Sequence, residues 1–96
     1  MFTVSFIGAG NRGGVYARYF AKSPDVKIVS VCDIAEPTAL EMKEKYALKA
    51  EDVFTDEEEF FKEKRSDVLV VATLDDLHRR QTIRALSMGY DVLLEK

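Results

Sequence analysis

Short apolar runs and longer amphipathic segments alternate along the chain. Four of the runs are rich in β-branched residues and predict strands, and a weaker fifth run lies near Asp52–Phe54; the four are Thr3–Ile7, Lys27–Cys32, Val68–Ala72 and Asp91–Leu94. Two of them are almost continuously apolar, which is typical of strands that are covered on both faces. The pattern therefore predicts a sheet that lies between layers of helices.

Four segments with helical features separate the predicted strands: Arg12–Lys22, Glu36–Tyr46, Thr55–Arg65 and Asp75–Met88. In the third segment, Thr55 and Glu58 have the spacing of a capping box, and after the fourth, Gly89 takes the place of a C-terminal cap. Strictly alternating strands and helices predict a doubly wound α/β fold with right-handed crossovers. The expected order of the five parallel strands is 3-2-1-4-5.

Composition limits the class of protein. With 96 residues, 47% of them hydrophobic and 32% charged, the chain is expected to form one small globular domain. The net charge of −3 is spread along the chain, and the absence of a basic stripe argues against a nucleic-acid partner. No segment has the length of a membrane span or the layout of a signal peptide. Cys32 is the only cysteine, which fits a reducing, cytoplasmic setting, and no metal-ligand pattern stands out.

The segment GAGNRG joins the first predicted strand to the first predicted helix. Its glycines, Gly8, Gly10 and Gly13, match G-x-G-x-x-G in the strand–turn–helix context that gives this motif its force. Gly8 would make the tight turn, Gly10 would let the backbone approach a pyrophosphate, and Gly13 would let the helix pack closely on the sheet. Free N–H groups at the start of the helix would attract the phosphates. The alternative is that the glycines serve only a sharp turn.

Asp33 follows the second predicted strand, twenty residues after Gly13. A carboxylate at this place can accept hydrogen bonds from both hydroxyls of an adenosine ribose, whereas a 2′-phosphate would meet like charge. The sequence therefore favours NAD over NADP as cofactor. Two alternatives stay open: Asp33 only begins the turn to the next helix, or the site takes S-adenosylmethionine in a methyltransferase.

Three stretches together resemble one known family: IGAGNRG, VVATLDDLH and the terminal GYDVLLEK. The chain resembles the N-terminal dinucleotide-binding domain of the Gfo/Idh/MocA oxidoreductases, over essentially residues 1–96, and this implies a Rossmann-type sheet. Glu95 and Lys96 match the first two residues of the family's Glu-Lys-Pro signature. Leu74 departs from the family, whose members commonly have proline after the threonine matched by Thr73.

The resemblance implies roles for individual residues. Lys96 would be catalytic and reach the substrate hydroxyl or carbonyl, unless it is only a charged residue at a frayed end. Thr73 and Leu74 would lie on the nicotinamide side of the site, and Glu95 would bind the cofactor. His78 would be a structural or cofactor-side residue rather than a general base. Asn11 and Arg12 belong to the phosphate loop, although Arg12 could equally be a solvated helix residue.

The family also implies what this sequence does not contain. Its full-length members continue into a second domain that supplies the substrate pocket, so a sugar-like or polyol substrate is expected only with that domain. The chain alone is expected to be inactive. The competing hypothesis is a stand-alone NAD-binding or interaction module without turnover. An uncovered fifth strand, Asp91–Leu94, would further predict self-association into a homo-oligomer and marginal stability as a monomer.

Overall fold

A computed structural model describes residues 2–8, 20, 22–73 and 75–94. Five strands form one parallel sheet: β1 (Phe2–Ile7), β2 (Val26–Cys32), β3 (Val53–Phe54), β4 (Val68–Val71) and β5 (Asp91–Leu94). Their order across the sheet is β3-β2-β1-β4-β5, which confirms the predicted doubly wound arrangement. The first strand along the chain, β1, thus lies at the centre of the sheet, and its carboxyl end lies between those of β2 and β4.

Three described α-helices follow the strands: α1 (Glu36–Lys45), α2 (Glu57–Phe60) and α3 (Asp75–Ser87). A 3₁₀ helix, Ala50–Asp52, precedes β3. The helix predicted over Arg12–Lys22 falls largely outside the described residues; its described residue Phe20 packs against Phe6, with ring centroids 6.3 Å apart. None of the described helices has the length and apolar character needed to cross a membrane.

Each face of the sheet carries its own apolar cluster. One cluster is built on Val4, Phe6, Ile28, Val31, Met42 and Val70, and the other on Ile7, Cys32, Phe60, Phe61, Leu69, Val71, Ala85 and Tyr90. Helix α1 covers the first face through Met42, whereas α2 and α3 cover the second through Phe60 and Ala85. Because both faces are buried, the central strands carry apolar residues at almost every position.

A β-bulge adjusts the pairing of the two central strands. Val4 pairs with Ile28 and Ser5 pairs with Ser30, so β2 carries one extra residue, Val29. The extra residue allows Ile28 and Val31 to face the same cluster. It also places Ser5 opposite Ser30, and their buried hydroxyl oxygens lie 2.5 Å apart, so each polar group has a hydrogen-bond partner inside the sheet.

Helix α2 differs from its prediction. The expected helix covered Thr55–Arg65 with Thr55 as the cap, but the observed helix is Glu57–Phe60 and its cap is Asp56, whose side chain accepts a hydrogen bond from the Glu58 N–H. The helix ends early because the Arg65 guanidinium donates to the carbonyl oxygens of Phe60 and Glu59, both at 2.9 Å. Arg65 also lies 4.2 Å from the centre of the Phe54 ring.

Helix α3 ends where the sequence predicts. Gly89 has a φ of +91°, its N–H donates to the Leu86 carbonyl, and the Tyr90 N–H donates to the Ala85 carbonyl. These two bonds form a Schellman motif, in which a glycine in the left-handed region ends the helix. The motif turns the chain into β5, whose pairing with β4 completes the sheet.

Candidate functional site

The carboxyl ends of β2, β1 and β4 lie side by side and place three predicted site residues in one row. The Gly8 N–H donates to the Cys32 carbonyl at 2.8 Å, so the end of β1 lies beside the residue before Asp33. On the other side, the Ala72 N–H donates to the Ile7 carbonyl at 2.9 Å, so Thr73 follows β4 next to Gly8. Open α/β sheets bind ligands at this edge, where the strand order reverses.

Gly8 stands in the middle of this row and adopts a φ of +82°, a backbone conformation that side chains disfavour. A Cβ atom at Gly8 would lie 2.6 Å from Thr73 Cγ2 and 2.9 Å from both the carbonyl carbon and the carbonyl oxygen of Ala72. The chain therefore requires glycine here for two reasons, the turn out of β1 and the close approach to the end of β4. The turn lies where the sequence predicts it, while a role in cofactor binding stays a prediction.

Asp33 lies in the turn that leaves β2. Its N–H donates to the Phe54 carbonyl at 2.9 Å, and its Oδ1 accepts a hydrogen bond of 2.8 Å from the Ala35 N–H. This Asx turn orients the carboxylate before helix α1 begins. An ionised carboxylate accepts up to about four hydrogen bonds, so shaping the turn and contacting a ribose are compatible roles for one side chain.

Cys32 lies beneath this edge and is inert at neutral pH. Its side chain is buried, and burial, followed by the negative charges of Glu57, Asp33 and Asp56, raises the pKa of the thiol to about 12. Because the thiolate is the reactive form, the raised pKa argues against Cys32 as a nucleophile. No cluster of His, Cys, Asp and Glu suited to a metal ion occurs in the part of the chain that the structure describes.

Thr73 is held by two residues that the sequence analysis did not select. Its hydroxyl donates to Gln81 Oε1 at 2.6 Å, and Gln81 Nε2 donates to Glu57 Oε2 at 2.6 Å. Glu57 also forms an ion pair with Arg80. The available signal was the position of Gln81, a polar residue four positions before Ala85 on the apolar stripe of α3.

His78 belongs to the same helix, one turn before Gln81. Its carbonyl oxygen accepts a hydrogen bond of 2.6 Å from the Thr82 hydroxyl, and its Nε2 is buried without a hydrogen-bond partner among the described residues. A buried ring nitrogen of this kind can serve a bound ligand as donor or acceptor. This arrangement is compatible with the predicted structural or cofactor-side role, which stays a prediction.

The remaining predicted site residues lie outside the described residues and stay predictions; they are Gly10, Asn11, Arg12, Gly13, Leu74, Glu95 and Lys96. The described part of the edge has the chemistry that a dinucleotide needs. It offers a glycine in the close-approach position, a carboxylate for ribose hydroxyls, and the Thr73 hydroxyl after β4. The residues present therefore fit such a cofactor.

Comparisons with known proteins agree with this arrangement. The family model described as Gfo/Idh/MocA, an oxidoreductase family with an NAD-binding Rossmann fold, matches residues 2–96. D-glucoside 3-dehydrogenase from Escherichia coli strain K12 is 32% identical over 94 residues, which cover 97% of this chain and 26% of that protein. The chain thus spans about a quarter of that relative's length.

Two solved structures share the fold at low sequence identity. Apo scyllo-inositol dehydrogenase from Lactobacillus casei has a TM-score of 0.89 at 21% identity, with 100% of this chain and 28% of that chain covered. WlbA dehydrogenase from Bordetella pertussis, in complex with NADH and UDP-GlcNAcA, has a TM-score of 0.86 at 22% identity, with 98% and 28% covered. Since the family model spans nearly every residue and the observed sheet has the strand order of its fold, the chain belongs to the Gfo/Idh/MocA oxidoreductase family, of which it carries the NAD-binding Rossmann fold.

Proposed function

We propose that the chain binds NAD in preference to NADP, with the adenosine ribose on Asp33 and the nicotinamide half toward Thr73. The observation that carries this proposal is the row of Asp33, Gly8 and Thr73 at the switch point of the sheet. The bond from Ala35 holds the Asp33 carboxylate before any ligand arrives, which lowers the entropy lost on binding. A 2′-phosphate beside that carboxylate would bring two negative charges together.

The phosphate loop completes the proposed cofactor site. Its residues are Gly10, Asn11, Arg12 and Gly13, and their assignment rests on the sequence motif and on the family. Backbone N–H groups at the start of the following helix would bind the pyrophosphate. The positive φ of Gly8 supports this part of the proposal because it directs the chain out of β1 at the place the motif requires.

Calorimetric titration of NAD and NADP tests the preference. A hydrogen bond to a charged group is worth about 1.5–3 kcal/mol, so we expect NAD to bind at least about 10-fold more tightly. Asp33→Asn keeps an oxygen for the Ala35 N–H but removes the charge, and Asp33→Ala removes both; each should bring the two affinities within about threefold. Asp56→Asn is the matched control, because Asp56 accepts the same kind of bond at α2. Equal affinities in the unsubstituted chain would remove Asp33 from this role.

As part of a longer protein, the chain would serve an oxidoreductase that acts on a sugar-like or polyol substrate. The supporting observations are the family and the relatives named as glucoside and inositol dehydrogenases. Bound nicotinamide would supply hydride chemistry. By resemblance, Lys96 would stabilise the alkoxide character that develops on the substrate oxygen, Glu95 and Leu74 would lie beside the cofactor, and His78 would contact it or support the site.

The second candidate is an NAD-binding module without turnover. In the longer protein, Lys96→Ala should lower kcat far more than it changes NAD affinity if the enzyme hypothesis is right. A loss confined to cofactor binding, or a parent sequence that has no substrate domain after Lys96, would favour the module. We also propose a cytoplasmic setting, supported by the single buried thiol.

A further inference from the structure

Two consecutive hydrogen bonds link three side chains, from the proposed nicotinamide side of the site to helix α2. Thr73 follows β4, Gln81 lies on α3, and Glu57 begins α2. Thr73 Oγ1 and Gln81 Oε1 lie 2.6 Å apart, as do Gln81 Nε2 and Glu57 Oε2. These hydrogen bonds thus connect the end of β4 to the Glu57 side chain on α2.

The Glu57 side chain determines which group donates and which accepts in each of the two hydrogen bonds. Glu57, paired with Arg80, is a carboxylate and can only accept hydrogen bonds. Gln81 must therefore turn its NH₂ group toward Glu57, which leaves its carbonyl oxygen facing Thr73. The Thr73 hydroxyl has a single proton and must donate it to that oxygen. Any further hydrogen bond of this hydroxyl is one that it accepts.

Burial makes the reversed orientation of the Gln81 amide costly in free energy. Only 5% of the Gln81 surface is exposed, and the Glu57 side chain is 19% exposed. A reversed Gln81 amide would place its carbonyl against the carboxylate and its NH₂ group against Thr73, leaving the buried carbonyl oxygen without a donor. An unsatisfied buried polar group is costly, so the observed orientation is strongly favoured.

We propose that Glu57 and Gln81 are positioning residues that hold the Thr73 hydroxyl as a hydrogen-bond acceptor for the nicotinamide half of the dinucleotide. This inference rests on the proposed function, because it deepens the description of the same site. The ligand must present a donor to Thr73, and the nicotinamide half has two kinds, the carboxamide NH₂ and a ribose hydroxyl. Neither helix residue needs to touch the ligand.

The direction of the bonds can be measured in the chain without ligand. In ¹H–¹⁵N NMR spectra we expect a Gln81 side-chain NH₂ proton to be shifted downfield by its bond to the carboxylate. Glu57→Met should remove this downfield shift, because it removes the charged acceptor. Glu58→Met is the matched control, since Glu58 is the next residue on the same helix and pairs with Arg84 instead. A Gln81 NH₂ group unaffected by Glu57→Met would overturn the proposal.

The effect on the ligand is measured by titrating NAD⁺ into the same variants. Glu57→Met and Thr73→Val should each weaken binding about 3- to 10-fold, the range for one hydrogen bond, while Glu58→Met should not. In the Thr73→Val background, Glu57→Met should have no further effect. A Glu57→Met loss that persists unchanged in that background would show a merely structural role and contradict the proposal.

ADP-ribose, which lacks the nicotinamide ring, separates the two donors. A Thr73→Val loss seen with NAD⁺ but not with ADP-ribose assigns the donor to the carboxamide, and an equal loss assigns it to the ribose; both results support an accepting hydroxyl. If NAD⁺ does not bind the unsubstituted chain, the proposed function fails and the ligand part of this inference fails with it. The Gln81 signal in the free chain remains an independent test of the bond directions.

Discussion

Replacing Gly8 by alanine tests two requirements at the end of β1, a positive φ and the absence of a Cβ atom. The backbone there has a φ of +82°, and the space for a Cβ atom is filled by Thr73 Cγ2 at 2.6 Å and by the Ala72 backbone at 2.9 Å. Gly89 offers a matched control because its φ is +91° but, among the described residues other than its chain neighbours, none comes within 4 Å of a Cβ built on it. Gly89→Ala therefore strains only the backbone, whereas Gly8→Ala also creates a clash.

The expected magnitudes follow from these two terms. A left-handed conformation costs a residue with a Cβ roughly 1–2 kcal/mol, which applies to both variants. Overpacking adds about 1–3 kcal/mol at Gly8, because the Ala72 atoms belong to the backbone of β4's exit and cannot rotate away. We expect Gly8→Ala to lose about 2–5 kcal/mol of unfolding free energy and Gly89→Ala about 1–2 kcal/mol.

Urea unfolding followed by far-UV circular dichroism measures both losses in the same buffer. For a domain of this size each kcal/mol should also lower Tm by about 4–8 °C. Equal losses in the two variants, or a larger loss at Gly89, would refute the conclusion that β4 closes the space beside Gly8.

Further predictions concern the rest of the chain. Arg65→Met should lower the free energy of unfolding by about 2–4 kcal/mol, because it removes two charged hydrogen bonds to the end of α2. Arg65→Lys should restore part of this loss in the same urea assay, and an Arg65→Met variant of unchanged stability would show that these hydrogen bonds do not stabilise the end of α2. Hydrogen bonds from the Thr3 N–H and hydroxyl hold the pKa of Asp67 below its usual range. Its stabilising contribution is therefore present above the ordinary aspartate pKa and lost as the pH falls through the lowered one, so Tm should fall less steeply with acidification in Asp67→Asn than in the unsubstituted chain; parallel curves would contradict this. The edge strand Asp91–Leu94 should cause self-association that sedimentation detects as a concentration-dependent mass, and a strict monomer of high Tm would argue against it. The isolated chain should show no turnover of NAD with inositol or glucose, since donor carbon and nicotinamide must be held about 3–3.5 Å apart and we propose that the substrate pocket lies outside residues 1–96; turnover would place that pocket in this chain.

The sheet and the ends of most elements could be predicted from the sequence because they depend on local chemistry. The parallel sheet follows from alternation and from the handedness of crossovers, and the dinucleotide-binding motif after the first strand favours the order 3-2-1-4-5. Gly89 ends α3 because a left-handed residue is required there. Asp33 could be selected because it follows the second strand, twenty residues after Gly13; the structure shows that it opens the turn before α1, and its contact with a ribose stays a prediction. These features need no knowledge of which helix packs against which.

The parts that were missed depend on tertiary contacts. Thr55 and Asp56 are both good caps, and the acids and bases of the following segment favour a longer helix. The packing of Arg65 on Phe54, which ends α2 at Phe60, brings together residues from a strand and a loop. In the same way, Glu57 meets Gln81 only once α2 and α3 have packed on the sheet. A single sequence does not encode such pairings in any local pattern.

The position of a bound dinucleotide decides whether Asp33 holds the adenosine ribose. In a crystal structure of the chain with NAD⁺ at saturating concentration, we expect the adenosine ribose hydroxyls about 2.6–3.2 Å from the Asp33 carboxylate and the nicotinamide half beside Thr73. Adenosine bound at another edge of the sheet, or an Asp33 carboxylate that makes no contact with the ribose, would contradict this placement of the cofactor.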